Sequence, residues 1–208
     1  MAAHGVSGVV PADFARAVAA LRAVRLRPEV TLSEVPSPGR IAPYSMALSA
    51  EVGTMGLSAE VGTKGLSAEG GAADEELASG RFVLLHDPAG QDAWEGTMRA
   101  VTFVRAELEP EMGGDPVLGD VGWTWLLECL AAAGARPVAA GGTVTRVISQ
   151  SHGSLADRPP VVEIEIRASW TPVDADLGPH LRGWAGLLCA AAGLPPVPDG
   201  VRLLHRGT

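Results

Sequence analysis

Hydrophobic and polar residues alternate along several stretches of this chain, a pattern typical of strands with one buried face. In the clearest stretch, residues 161–170, Ile164 and Ile166 alternate with Glu163 and Glu165. Comparable alternation predicts further strands over residues 44–52, 81–86, 94–109 and 143–150. Five strands with one apolar side each indicate a sheet that buries a single face.

Three other segments carry apolar residues at helical spacing. The first, residues 11–25, begins with Pro11, which suits the first position of a helix. The second, residues 116–133, follows an aspartate and has only a narrow polar stripe, so we expect it to be central or to face a partner. The third lies within residues 174–192, and its helix either begins at Pro179 or is distorted there.

The order of these elements is α-β-β-β-α-β-β-α, which predicts an α+β fold with helices packed on an antiparallel β-sheet. Val30 and Leu32 alternate with polar residues among prolines, and we expect an extended edge segment there. Residues 87–90 predict the turn between the second and third strands, and Gly141-Gly142 predicts another turn. The element order resembles that of the type III secretion chaperone-like and YbjN-like folds, a resemblance that rests on order alone.

A short tandem repeat interrupts this pattern. From Leu48 onward, LSAEVGTMG is followed by LSAEVGTKG and by a decayed copy, LSAEGG. Because so short a Gly- and Ser-rich unit cannot stack into a solenoid, we expect a duplicated loop. The predicted organisation is a single domain over residues 11–198 with a low-complexity loop insertion at 53–76, a disordered N-terminus at 1–10 and a flexible tail at 199–208.

The composition fits a globular protein, since 47% of the 208 residues are hydrophobic and 19% are charged. A net charge of −8, without a dense Lys/Arg cluster, does not favour nucleic acid as a partner. The sequence shows no secretion signal and no run of the roughly 18 apolar residues that a membrane span needs, so we expect a cytoplasmic protein. Cys129 and Cys189 lie among Leu and Ala and are predicted to be buried free thiols.

Several longer motifs resemble a known family. They are APYSMALSAEV, SGRFVLLHDPAGQDAWEGTMRAVTFVRAELEPEM, VGWTWL, IEIRASWTP and GLPPVP. Together they are similar to an actinobacterial family of domains of unknown function, numbered three thousand, over about residues 11–198. The resemblance implies a cytoplasmic single-domain protein and carries no catalytic residue to transfer. The nine-residue repeat departs from the family pattern, which suggests that this loop is dispensable.

The acidic end of the third predicted strand is the first place to look for chemistry. Glu107, Glu109 and Glu111 would share one face of a continued strand, an arrangement that suits acid–base catalysis or a hard cation. Arg105 and Arg167 lie on strands of the same sheet, however, and Glu–Arg pairs on a solvated face explain these residues without a function. We therefore expect no catalytic residue, no metal site and no cofactor, and assign the remaining functional role to an electrostatic docking surface.

The five tryptophans are notable in a chain with only 4% aromatic residues. Trp125 and Trp184 lie on apolar stripes and are predicted core residues, whereas Trp94 and Trp123 are better candidates for a surface or a pocket. The expected partner surface comprises Trp94, Arg99, Glu107, Glu109, Glu111 and Trp123.

Three functional hypotheses follow. The first is a non-catalytic protein-binding module, chaperone-like or regulatory, with an unidentified protein partner. The second is a small-molecule-binding domain or enzyme, and it requires Trp94, His86 and Arg99 to converge on one pocket. The third is a homodimer whose sheet or central helix is completed by symmetry.

Overall fold

The computed structural model describes residues 10–53 and 76–196 of the chain. Within these residues, three α-helices and six strands follow the predicted periodicity. The elements are α1 (Ala12–Ala23), β1 (Val30–Val35), β2 (Tyr44–Gly53), β3 (Glu76–Gln91), β4 (Gly96–Leu108), α2 (Leu118–Ala132), β5 (Pro137–Ser149), β6 (Val161–Pro172) and α3 (Gly178–Ala191).

The six strands form one antiparallel sheet in the order β1-β2-β3-β4-β6-β5. This confirms the predicted α+β class. The segment expected to be an extended edge is β1, which pairs with β2 and forms one edge of the sheet. At the other edge lies β5, and α2 crosses from the sheet centre to that edge between β4 and β5.

All three helices pack on the same face of the sheet. Their buried residues join one core with strand residues such as Phe82, Val104, Ile164 and Ile166. The predicted core residue Trp184 is fully buried, whereas Trp125 is only partly buried. We call the opposite side the open face, because no helix among the described residues packs on it.

The turn between β3 and β4 differs from the prediction. Residues 87–90 form a bulged continuation of β3, where a carboxylate oxygen of Asp87 accepts a hydrogen bond from the Ala89 amide at 3.0 Å. The chain reverses at residues 92–95 instead, and Glu95 adopts a left-handed conformation with φ of 55°. Asp87 thus forms a local turn within β3, and pairing between β3 and β4 resumes after this turn at Gln91.

The strand β5 begins earlier than predicted. It starts at Pro137, and a bulge between Val138 and Gly141 separates its two paired stretches. The predicted Gly141-Gly142 turn is therefore wrong, since both glycines lie within this strand. A Cβ atom on Gly142 would meet the Arg167 carbonyl and lie 2.9 Å from Cζ3 of Trp123, so this position requires the close approach that glycine allows.

The strand β3 extends five residues beyond the predicted range at each end, since it runs from Glu76 to Gln91, and the remaining boundaries agree with the prediction to within a few residues. The helix α3 begins at Gly178 with Pro179 in its first turn, which is the first of the two expected alternatives. Cys129 and Cys189 are free thiols, half-buried and buried respectively. No helix in the described part of the chain is long and apolar enough to cross a membrane. Residues 1–9, 54–75 and 197–208 lie outside the described residues, and with them the expected disordered N-terminus, the repeat insertion and the flexible tail.

Candidate functional site

The open face carries a groove of about 880 Å³ that runs across five strands. Strand register places its central side chains in two adjacent rows. One row is Ser49, Arg81, Phe103, Arg167 and Thr143, and the next is Val83, Val101, Ser169 and Gly141. We call this surface the open-face groove.

The centre of the open-face groove is apolar. Val101 is 37% exposed, and Phe103 beside it is half-buried. The guanidinium carbon of Arg167 lies 5.0 Å from the centroid of the Phe103 ring, within the range of a cation–π contact. Arg81 lies directly opposite Phe103 on the other neighbouring strand and is exposed. The half-buried Phe103 therefore lies between two guanidinium groups, with the exposed Val101 two residues before it on the same strand.

Ion pairs border the open-face groove on the side of β4 and β6. Nε of Arg105 lies 2.9 Å from a carboxylate oxygen of Glu163, and Arg167 lies 2.7 Å from Glu165. Both carboxylates belong to β6, whereas Glu107, Glu109 and Glu111, for which such pairing was expected, form no ion pair among the described residues. Exposed pairs of this kind contribute about 0–1 kcal/mol each to stability, so they shape the surface charge more than they hold the fold.

Arg99 forms a structural bridge at the end of the open-face groove. Its guanidinium donates hydrogen bonds to the carbonyls of Ala139 and Ser169 and to the hydroxyls of Ser169 and Thr171, at 2.8–3.3 Å. Partial burial lowers the pKa of Arg99 from its ordinary value, but the group stays charged at neutral pH. Arg99 thus ties β4 to β6 and to the bulge of β5, where Ala139 has a φ of 48°.

Trp94 covers a second, smaller hydrophobic cluster. Ala47, Val83 and Leu85 are buried on the open face, and the Trp94 side chain packs against them from the turn before β4. The carbonyl of Trp94 also accepts a hydrogen bond from the Thr171 hydroxyl. This tryptophan therefore closes one end of the open face.

His86 lies on the other side of the sheet. Register places it opposite Tyr44 and Met98, on the helix-covered face, and it is fully buried. Its ring stacks on Phe14 at 5.7 Å, and its Nδ1 lies 3.0 Å from the Thr97 carbonyl. Since Trp94 and Arg99 face the open side, the pocket expected from these three residues does not form.

The three acidic residues do not share a strand face. The strand β4 ends at Leu108 because Pro110 begins a 3-10 helix, Pro110–Gly114. Glu107 remains on the open face, directly opposite Glu163, whereas Glu109 precedes that short helix and Glu111 lies in its first turn. The expectation of alternate carboxylates along one strand is wrong for this reason.

Trp123 lies in the helical layer, half-buried on α2 beside Gly142. The expected partner surface is thus divided among three places. Trp94, Arg99 and Glu107 lie on the open face, Glu109 and Glu111 in the turn after β4, and Trp123 on the opposite side. The centre of the open-face groove was missed, although Val101 and Phe103 interrupt the polar side of the β4 alternation and are the signal that points to it.

Comparison with protein families gives a match over nearly the whole chain. A family model described as Protein of unknown function (DUF3000) matches residues 10–202. No curated protein and no solved structure matches the chain. The matched span is nearly the whole sequence and agrees with the family indicated by the motifs. The chain therefore belongs to the DUF3000 family.

Proposed function

We propose that the protein is a non-catalytic protein-binding module whose partner docks on the open-face groove. The observation that carries the proposal is the exposed Val101 beside the half-buried Phe103, at the centre of a groove whose other lining residues are mostly polar residues or glycine. An aromatic ring flanked by arginines fits the enrichment of aromatic residues and arginine at protein interfaces.

The charges around this anchor indicate the chemistry of the partner. Phe103 lies between Arg81 and Arg167, and Arg81 has no ion pair among the described residues. Arg167 is already paired with Glu165, and the groove lining also contains Glu51 and Glu76, so the available positive charge is that of Arg81 alone. The partner segment is accordingly an apolar side chain flanked by carboxylates, which would bury the side chain on Val101 and pair with Arg81.

The open edge of β5 adds a second contact in the same proposal. This edge strand is 13 residues long and mostly exposed, with Ile148 at 51%. The opposite edge, β1, has only six residues and follows a proline. An extended partner segment lying across the groove would reach β5 at Thr143. The proposal keeps the partner in the cytoplasm, as the sequence leads us to expect.

The test uses charge reversal at exposed positions. Wild-type protein, Arg81→Glu and Val101→Glu are used as bait in native lysate, and the captured protein is then purified and titrated against each variant. We expect about tenfold weaker binding for Arg81→Glu, equal to about 1.4 kcal/mol, and a larger loss for Val101→Glu. Thr97→Glu adds the same charge at an exposed position of β4, on the same face but outside the groove and away from β5, and should bind like wild type.

Two outcomes contradict the proposal. Equal affinities of wild type and Arg81→Glu would show that the partner docks elsewhere. The second is that the bait captures no other protein and that wild type and Val101→Glu are both monomeric. Neither another protein nor a second copy of the chain would then bind the groove. Circular dichroism of each variant shows that the sheet is intact before binding is compared.

A further inference from the structure

A second cavity lies in the helical layer, between α2 and α3. It has a volume of about 770 Å³, within the roughly 300–1,000 Å³ that is typical of small-molecule sites. We call it the α2–α3 cleft. Its walls come from both helices, from the segment before β1 and from the chain after α3.

The body of the α2–α3 cleft is apolar. Trp125 forms one wall, Leu26 and Val30 a second, and Leu194 a third. Cys129 and Cys189 also line it. Burial raises the pKa of Cys129 and raises the pKa of Cys189 to about 11, so both thiols are neutral at pH 7 and extend the apolar lining.

The rim of the cleft is basic. Three arginines and one carboxylate, Glu128, lie among its lining residues. Arg27 is engaged by Glu29 at 2.8 and 3.0 Å and donates a further hydrogen bond to the Pro195 carbonyl at 3.0 Å, which fixes that wall. Arg25 and Arg182 are exposed and have no ion pair within residues 10–53 and 76–196.

We propose that the α2–α3 cleft binds a small amphiphilic carboxylate, with its hydrocarbon body against Trp125 and its anionic head at Arg25 and Arg182. Binding would remove the apolar surface of the hydrocarbon body from water, which is favourable, and a guanidinium at the rim would add a charge-assisted hydrogen bond to the head. The sheet lies between this cleft and the open-face groove. The proposed ligand site therefore does not depend on whether a protein docks on the groove.

The probe is dodecanoate, used below its aggregation concentration and measured by isothermal titration calorimetry. Dodecyltrimethylammonium has the same chain and the opposite charge. We expect saturable one-to-one binding of dodecanoate and at least tenfold weaker binding of the cation. Arg182→Glu should weaken dodecanoate binding by about tenfold and narrow the difference between the two probes.

A blocking variant locates the site. Ala132 lines the α2–α3 cleft, whereas its neighbour Ala131 is equally exposed on α2 and does not line it. Ala132→Phe should therefore abolish dodecanoate binding, and Ala131→Phe should leave it unchanged. Three results would overturn the assignment. They are equal binding of both probes, dodecanoate binding that survives Ala132→Phe, and no binding of dodecanoate to the wild type.

Discussion

The indole Nε1 of Trp170 donates a hydrogen bond to Nδ1 of His180 over 2.9 Å. Both side chains are fully buried, and the contact joins β6 to α3. Nδ1 accepts this bond, so a protonated ring would carry an N–H at Nδ1 that points at the indole N–H, and the hydrogen bond would be lost. Burial lowers the pKa of His180 to about 4, an effect that Asp174 and Asp176 offset only in part.

This pKa predicts a loss of stability in acid. Below pH 6.5 the unfolded chain binds a proton at His180 that the folded protein does not bind, so the free energy of unfolding falls as the pH drops from 6.5 towards 4. The loss by pH 4.5 is about 2–3 kcal/mol. Urea unfolding of wild type and His180→Asn between pH 7.5 and 4.5 measures it, and the variant should have the shallower dependence. Parallel curves would show that His180 does not cause the effect.

Trp94 is expected to act in stability rather than in binding. Trp94→Ala uncovers Ala47, Val83 and Leu85, and since Trp94 is half-buried we expect a loss of about 1–3 kcal/mol in the free energy of unfolding. Urea denaturation checks this against Leu155→Ala, a change at a side chain that is 44% exposed and should have little effect. If Trp94→Ala were as stable as wild type but bound the partner more weakly, Trp94 would act in docking rather than in stability.

The strands and helices were predictable because each has an apolar face with the periodicity of its own conformation. Residues 161–170 alternate without interruption, and β6 covers that range and extends to Pro172. The side of the sheet on which a residue lies was predictable only within one strand. Between His86 and Trp94 the register shifts and the chain turns at Glu95, so counting alternate positions across this segment gives no information about faces.

The two cavities depend on contacts between distant parts of the sequence. The open-face groove exists because all three helices pack on the other side, and the α2–α3 cleft depends on how closely two helices approach. Neither relationship is local, and so periodicity did not reveal them. Only the open-face groove had a local signal, because Val101 and Phe103 are apolar residues among the polar residues on that side of β4.

Arg99 should contribute far more to stability than its neighbour Arg105. Arg99→Met leaves the Ala139 and Ser169 carbonyls without their donor, and we expect a loss of about 1–3 kcal/mol in the free energy of unfolding. Arg105→Met removes only an exposed pair with Glu163 and should cost about 0–1 kcal/mol. Hydrogen exchange should also accelerate at residues 138–141 in Arg99→Met alone. Similar losses in both variants would contradict the bridging role.

The helices α2 and α3 approach each other closely at Gly183. A Cβ atom there would lie 2.8 Å from Cα of Leu130 and 3.1 Å from the Cys129 carbonyl, both backbone atoms that cannot move without separating the helices. We therefore expect Gly183→Ala to lower the free energy of unfolding by about 1–3 kcal/mol, despite the better helix propensity of alanine.

Gly119 provides the matched control for Gly183, since it lies in α2 with open space around its Cα. Gly119→Ala should raise the free energy of unfolding by up to about 1 kcal/mol. Urea denaturation of the two variants should thus give shifts of opposite sign. If Gly183→Ala were as stable as wild type, the two helices would not be held together at this point, and the α2–α3 cleft would lose the contact that sets its width.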